Sequence, residues 1–110
     1  MKWAWTDKDV TADELAGQVG RGWSGIVHRL VADLLELGWD GKVFQVKEKF
    51  GGLRFYIADS DNLLADRIYA AEDESFRTCQ ECGEPGTVRG TRNWILTLCG
   101  PCDVAKPEAR

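Results

Sequence analysis

The sequence predicts a small α+β domain in which two amphipathic helices pack on a β-hairpin, with a four-cysteine ribbon at the C-terminal side. Apolar residues recur at helical spacing over 23–37 and 61–77, they alternate on both sides of Gly51-Gly52, and two Cys-x-x-Cys pairs follow. The chain has 110 residues, 44% of them apolar, which suits one domain. That domain, 1–110, divides into a helix-hairpin-helix core (20–78), a ribbon (79–102) and a tail (103–110).

The composition favours a soluble, cytosolic protein with reduced cysteines. No apolar run typical of a signal peptide opens the sequence, and no stretch of about eighteen apolar residues occurs. In a reducing cytosol, cysteines serve as metal ligands more often than in disulfides. The net charge is −4, but segment 42–58 carries four basic residues and one acidic residue. Any contact with nucleic acid is therefore expected there, because phosphates require a positive surface.

Two helices are predicted in the first forty residues. Thr11, followed by Glu14 three residues later, forms a capping-box pattern that begins a short helix. Residues 23–37 then carry apolar side chains on one half of the helical wheel, and Gly38 ends that helix. The other half carries its charged residues Arg29, Asp33 and Glu36.

A second amphipathic helix is predicted over about 61–77. Ser60 or Asp61 supplies its N-cap, because both side chains accept hydrogen bonds from first-turn amides. Its apolar stripe comprises Leu64, Ile68, Ala71 and Ser75, widened by Ala65, Tyr69 and Phe76. We expect this stripe and the apolar half of 23–37 to pack on the hairpin.

Period-two alternation predicts two antiparallel strands, 43–50 and 53–58, joined by Gly51-Gly52. Both glycines tolerate the positive φ angles of a two-residue turn. With that turn, the core face of the hairpin comprises Phe44 and three opposed pairs: Val46 with Ile57, Glu48 with Phe55, and Phe50 with Leu53.

The opposite face of the hairpin is cationic and aromatic. Lys47 is expected across from Tyr56, and Lys49 across from Arg54. Like charges on opposed strands are destabilising, so an anionic group should compensate for the second pair. Either a carboxylate of the second long helix or of the N-terminus neutralises it, or these four residues bind a carboxylate-rich or phosphate-bearing partner.

The four cysteines predict a metal site. Cys79-x2-Cys82 and Cys99-x2-Cys102 are separated by sixteen residues, a spacing typical of zinc sites with four thiolates. Zn²⁺ held by all four thiolates has no open position, so we expect a structural site. Two alternatives remain open: iron in a rubredoxin-like site, and a redox or disulfide role.

The residues between the cysteine pairs complete a zinc ribbon. "TVR" and "NWILTL" suit two short strands joined by "GTR", and Trp94 or Leu96 is expected to cover the metal. Cys99-Gly-Pro-Cys102 matches a thioredoxin redox centre letter for letter, but such a centre follows a central strand and begins a long helix. Only "DVAKPEAR" follows in this sequence, so a thioredoxin-type centre is not expected.

No enzyme is predicted, because no nucleophile, base and open metal position come together. His28, the single histidine, is expected at the margin of the first long helix. Glu48 and Glu72 fall within apolar patterns, and we expect them at edges, paired with Lys or Arg. The five tryptophans are Trp23, Trp39 and Trp94, expected in the core, and Trp3 and Trp5, expected either to seal the N-terminus or to anchor a partner.

Three segments resemble a known family. "GW" before an apolar helix, "VKEKFGGLRFY" in the middle, and "CQECGEPG" with "NWILTLCGPC" near the end are similar to small, mostly uncharacterised proteins of phages, prophages and some bacteria. The resemblance covers about 22–102, and the middle motif is its most specific part. It implies a phage-associated cytosolic protein, with no enzymatic activity attached to it.

Two functions follow as hypotheses. The favoured one is a module that binds a host protein complex stoichiometrically and inhibits it. That complex would belong either to host defence, as for anti-CRISPR proteins, or to nucleic-acid handling. The alternative is a zinc-ribbon protein that binds nucleic acid through the basic hairpin face. A steep loss of affinity with salt would identify the second function. Neither function involves a membrane or a small-molecule substrate.

Overall fold

A computed structural model describes residues 1–58 and 61–107 as a mixed α+β fold, which confirms the predicted fold class. Its elements, in chain order, are β1 Lys2–Trp3, α1 Ala12–Ala16, a 3-10 turn Arg21–Trp23, α2 Ser24–Glu36, β2 Lys42–Lys49, β3 Gly52–Ile57, α3 Asn62–Ser75, β4 Thr87–Arg89, β5 Leu96–Leu98 and α4 Gly100–Ala105. The expected tail thus begins with the end of a helix, and its last three residues lie outside the described residues, as does Ser60.

The predicted helix boundaries are confirmed by their capping groups. The Thr11 hydroxyl accepts a hydrogen bond from the Glu14 N–H, and the Glu14 carboxylate accepts one from the Thr11 N–H, both at 3.0 Å. Asp61, one of the two proposed caps of α3, accepts from the Leu64 N–H at 2.9 Å. Gly38 has a φ of +96° and follows the last turn of α2.

One hydrophobic core joins α1, α2, α3 and the hairpin. Trp23 and Trp39 are buried in it, as predicted. Tyr69 is exposed, so the expected widening of the α3 stripe is wrong at that position. The stripe itself is confirmed, because the buried residues of α3 are Leu64, Ile68, Ala71 and Ser75. Within 1–58 and 61–107, no helix is long and apolar enough to cross a membrane.

The hairpin turn lies one residue earlier than predicted. Phe50 and Gly51 have φ angles of +52° and +83°, as in a type I′ turn, and Lys49 lies opposite Gly52. Gly52 belongs to β3, where a Cβ would lie 2.3 Å from Cζ of Phe76. The predicted pairs are therefore wrong by two residues, and the observed pairs are Val46 with Phe55, Lys47 with Arg54 and Glu48 with Leu53.

A slip of two residues leaves each strand side chain on its predicted face, because side chains alternate with a period of two. Three expected core residues are accordingly buried: Val46, Leu53 and Phe55. Phe50 is 67% exposed, because it lies in the turn and not in a strand. Phe44 is 37% exposed, because an irregularity between Val43 and Gln45 shifts the alternation and buries Val43 instead.

The N-terminus adds a third strand that the sequence pattern does not predict. β1 pairs in parallel with β2, with Lys2 opposite Lys42 and Trp3 opposite Val43. Trp3 packs against the core, as expected of a seal. The indole N–H of Trp5 donates to the Phe44 carbonyl at 2.7 Å, and its ring meets the Phe44 ring edge-on. Sheet order is thus β1-β2-β3, with β3 at an edge.

Helix α3 lies along that edge of β3. Its side chains accept hydrogen bonds from β3 amides that would otherwise pair with a neighbouring strand. The Ser75 hydroxyl accepts a hydrogen bond from the Leu53 N–H at 2.9 Å. A Glu72 carboxylate oxygen accepts from the Phe55 N–H at 3.1 Å. Two outward amides of the edge strand are therefore satisfied by side chains, which stabilises β3 and blocks strand addition there.

Candidate metal centre and binding surface

The four cysteines come together in the ribbon. Their Sγ atoms all lie within 4.8 Å of one another, and those of Cys82 and Cys99 are 3.6 Å apart. Four thiolates about 2.3 Å from a tetrahedral ion are about 3.8 Å apart, so the spacing fits a single ion. Cys79 and Cys102 complete the set, and all four are free thiols. The cluster can hold a metal such as zinc.

Two local backbone conformations, one at each cysteine pair, place the four sulfur atoms close together. The first pair follows α3, and the N–H of Gly83, with a φ of +85°, donates to the Cys79 carbonyl at 2.9 Å. This φ is one that side-chain-bearing residues rarely adopt. In the second pair, Cys99 is the N-cap of α4 and Cys102 lies in the first turn. One half of the site is therefore a turn that ends at Gly83, and the other half is the N-terminus of α4.

Backbone amides favour the thiolate form of Cys79. Burial opposes ionisation of this side chain, but the N–H groups of Cys99, Cys82 and Glu81 outweigh it and lower the pKa of Cys79 to about 6. The adjoining thiols, Cys99 foremost, raise the pKa of Cys102 to about 12. Four thiolates therefore share this site only if a cation neutralises them.

Leucines of β5 cover the buried side of the cluster. Leu96 and Leu98 are buried and pack with Cys79. Of the two residues predicted to cover the site, Leu96 is confirmed and Trp94 is wrong, because Trp94 is 63% exposed. An apolar cover on that side would keep water away from a metal bound by Cys79.

The backbone of the ribbon packs directly against the backbone of the 3-10 turn, with no side chain between them. The Gly22 N–H donates to the Gln80 carbonyl at 3.0 Å, and a Cβ on Gly22 would lie 2.1 Å from the Cys79 carbonyl oxygen. The buried indole of Trp23 donates to the Thr78 carbonyl at 2.8 Å. Cys79 is thus anchored to the core through the backbone carbonyls of its two neighbours, Thr78 and Gln80.

The four residues predicted to bind a partner share one face of the hairpin, as the strand pairing requires. Lys47, and not Lys49, lies opposite Arg54. Among the described residues, no carboxylate forms an ion pair with these three cations. Within 1–58 and 61–107, the alternative of internal neutralisation is met only at Arg54, which attracts the Glu72 carboxylate of α3 electrostatically. Each cation instead lies 5.9 Å from an aromatic centroid: Lys47 from Tyr56, Lys49 from Phe50, and Arg54 from Phe76. We call Lys47, Lys49, Arg54 and Tyr56 the cationic face.

A groove that the sequence pattern does not predict lies between the hairpin turn and the ribbon. Its volume is about 410 Å³, and we call it the tip groove. Its exposed aromatic walls are Phe50 and Trp94, both of which were expected in the core. The lining residues are Glu48, Lys49, Phe50, Asn93, Trp94 and Ile95. A sequence signal existed, because "FGG" permits a turn at Phe50-Gly51 as well as at Gly51-Gly52.

The remaining titratable candidates have structural partners. His28 lies at the helix margin, as predicted, with its Nε2 3.0 Å from an Asp13 carboxylate oxygen. Glu48 accepts a hydrogen bond from the Gly51 N–H at 3.1 Å, and Glu72 accepts from Phe55. Among the described residues, neither glutamate forms the expected ion pair with Lys or Arg, because backbone amides of the hairpin bind both carboxylates. Arg54 attracts Glu72 only electrostatically.

Comparison with known proteins identifies no relative of this chain. No family model, no curated protein and no solved structure matches it. The functional interpretation therefore depends on the geometry of the metal centre, the cationic face and the tip groove.

Proposed function

We propose that this chain is a zinc-stabilised, non-catalytic module that acts stoichiometrically by binding a protein partner in the bacterial cytoplasm. The observation that carries the proposal is the cationic face. It presents three cations that form no ion pair with a carboxylate among the described residues, on a chain whose net charge is −4. An isolated basic and aromatic surface on an acidic protein suits an acidic partner surface.

Zinc is the metal we propose for the four-cysteine cluster, because tetrahedral thiolate sites favour zinc or iron and, within 1–58 and 61–107, the cluster consists of cysteines alone. Cys79, Cys82, Cys99 and Cys102 would hold the ion. Four protein sulfurs fill its coordination positions and leave none for a substrate. The metal therefore supports the fold of the ribbon and takes no part in a reaction.

The cationic face has the chemistry to recognise carboxylates. The Arg54 guanidinium can form two parallel hydrogen bonds to one carboxylate, which a lysine cannot do. Tyr56 adds a flat, half-exposed ring beside it. The resemblance to phage proteins points to a host complex as the partner class. We propose a complex of host defence, such as a CRISPR effector, or of nucleic-acid handling.

A charge-reversal variant tests this proposal. Lys49→Glu with Arg54→Glu should abolish capture of the partner from a bacterial lysate, while zinc content and melting temperature stay close to those of the unchanged protein. The matched control is Lys8→Glu with Lys42→Glu, which reverses the same charge away from the cationic face. Equal capture by both double variants would contradict the proposal.

Nucleic acid is the second candidate partner, because cations beside aromatic rings also suit phosphates and stacked bases. The net charge of −4 disfavours it, since a polyanion is repelled by the remainder of the chain. Fluorescence anisotropy with a labelled single-stranded oligonucleotide, at about 50 and 200 mM salt, distinguishes the two candidates. Binding that weakens steeply between these salt concentrations would favour nucleic acid.

A further inference from the structure

Phe50 occupies a turn position at which other residue types would be more favourable for folding. Its φ of +52° places a bulky side chain in a region where Asn, Asp and Gly are strongly preferred. The side chain is 67% exposed, so little burial compensates for the unfavourable backbone conformation. Backbone strain of this kind is concentrated at functional sites, so Phe50 is a candidate contact residue.

Trp94 forms the facing wall of the tip groove from the loop between β4 and β5. It is 63% exposed, and no ring pairing with Phe50 occurs among the described residues. The groove volume of about 410 Å³ is within the range of about 300 to 1,000 Å³ found for ligand pockets. Two exposed aromatic walls around such a volume can enclose a large apolar side chain.

The charged residues around the tip groove indicate which charge a ligand should carry beside that apolar side chain. Lys49 lines the groove, and Lys47 and Arg54 lie on the same face of the hairpin beside it. Glu48, the acidic residue of the lining, already accepts a hydrogen bond from the Gly51 N–H. Three cations therefore face one carboxylate in and beside the groove, and its aromatic walls are apolar, so the complementary ligand is anionic and apolar.

We propose that the tip groove binds an acidic peptide segment of a partner protein, which inserts an aromatic or large aliphatic side chain between Phe50 and Trp94. Carboxylates of the same segment bind Lys49, Lys47 and Arg54. This inference rests on the proposed function, because it assigns the docking site and the chemistry of that protein partner.

A peptide fits these observations better than a nucleic acid does. Proteins with strongly salt-dependent DNA binding make about six to ten phosphate contacts. The hairpin offers three cations, and the chain as a whole is acidic. A groove that encloses one apolar side chain also suits the anchor residue of a peptide more than a series of stacked bases.

The test uses the full-length, zinc-loaded protein and two defined probes: a displayed library of random twelve-residue peptides and a labelled oligothymidine. The informative variants are Phe50→Asn and Trp94→Ala. Asn-Gly is a favoured type I′ sequence, so Phe50→Asn should raise the melting temperature by about 4 °C. The matched control is Leu63→Ala, which removes a side chain that is also 63% exposed but lies on α3.

We expect the enriched peptides to combine acidic residues with an aromatic or large aliphatic residue. Their affinity should fall at least tenfold for Phe50→Asn and for Trp94→Ala, and stay unchanged for Leu63→Ala. A library without enriched peptides, enriched peptides that lack acidic residues, or equal affinity for all variants would overturn the inference. So would oligothymidine binding that Phe50→Asn abolishes, because it would assign the groove to nucleic acid.

The same variants separate this inference from the proposed function. If Lys49→Glu with Arg54→Glu abolishes capture of the lysate partner while Phe50→Asn and Trp94→Ala capture it fully, the groove assignment is wrong and the proposed function stands. If none of these variants alters capture, both are wrong.

Discussion

The hydroxyl of Thr97 donates a 2.6 Å hydrogen bond to the carbonyl of Gly51. This bond joins β5 of the ribbon to the turn of the hairpin, and Thr97 is fully buried. The N–H of Thr97 is itself held by the side-chain oxygen of Gln80 at 2.9 Å, next to Cys79. The metal centre and the tip groove are therefore mechanically connected through a short series of hydrogen bonds.

Removing the Thr97 hydroxyl should loosen the hairpin turn. Thr97→Val keeps the shape of the side chain but leaves the Gly51 carbonyl without its donor, which should cost about 1 to 3 kcal/mol of unfolding free energy. Denaturant unfolding measures this loss, and amide hydrogen exchange should increase at residues 50–52. Thr87→Val, on the exposed strand β4, serves as the control and should change neither. Unaltered exchange at the turn in Thr97→Val would show that the bond does not hold it.

Glu72 should make stability depend on pH in an unusual direction for a carboxylate. Burial raises its pKa above the ordinary value of 4.5, and the Phe55 N–H and Arg54 offset this only in part. A raised folded-state pKa means that ionisation costs stability above that pKa, and the cost disappears as the pH falls towards the unfolded value. Glu72→Gln keeps an acceptor for Phe55 without the charge.

We therefore expect Glu72→Gln to be more stable than the unchanged protein at pH 7, with the difference shrinking as the pH falls towards 4.5. Glu72→Ala removes the acceptor as well, so it should be less stable by about 1 to 3 kcal/mol. Urea unfolding at several pH values measures both effects. A Gln variant that loses stability at pH 7 would show that the carboxylate charge is favourable at this site.

Phe55 should be a principal contributor to core stability. Its side chain is 2% exposed and meets Trp39 edge-on, with ring centroids 6.0 Å apart. Phe55→Ala should cost about 3 to 5 kcal/mol. The neighbouring Tyr56→Ala, on the opposite face of the same strand, should cost much less. Similar denaturation midpoints for the two variants would mean that the assigned faces of the hairpin are reversed.

A side chain at position 52 should destabilise the fold, although Gly52 lies outside the turn. A Cβ there would be 2.3 Å from the Phe76 ring, so Gly52→Ala should cost about 1 to 3 kcal/mol through overpacking. Gly90→Ala is the control, because nothing lies within 4 Å of a Cβ at that position. Equal thermal stability of both variants would place Gly52 away from Phe76.

Periodic and local signals were sufficient to predict α1, α2, α3 and the cysteine cluster, but not the short helix α4, part of which was expected to be tail. The α3 stripe from Leu64 to Ser75 and the capping box at Thr11 depend on residues three or four positions apart. The spacing within and between the two Cys-x-x-Cys pairs is by itself typical of a metal site. In these cases, the residues that determine the structure are close in sequence or chemically distinctive.

The hairpin register and the N-terminal strand depend on distant contacts and could not be predicted in the same way. Gly51-Gly52 suggests a turn, but Phe76 requires the second glycine within β3. The pairing of Trp3 with Val43 joins segments forty residues apart in the sequence. Trp94 was expected in the core because it is large and apolar, yet it lies on the surface as a wall of the tip groove.

The metal content of the intact protein is the most direct test of the proposal that a zinc ion stabilises this chain. Native mass spectrometry should find one zinc ion per chain, and Cys82→Ser should lose it and unfold the ribbon, because structural zinc contributes about 10 to 16 kcal/mol in small peptides. Loss of the ribbon should also raise hydrogen exchange at the hairpin turn through Thr97 and Gly51. A protein that is folded and free of metal, with a native-like ribbon in Cys82→Ser, would contradict the proposal.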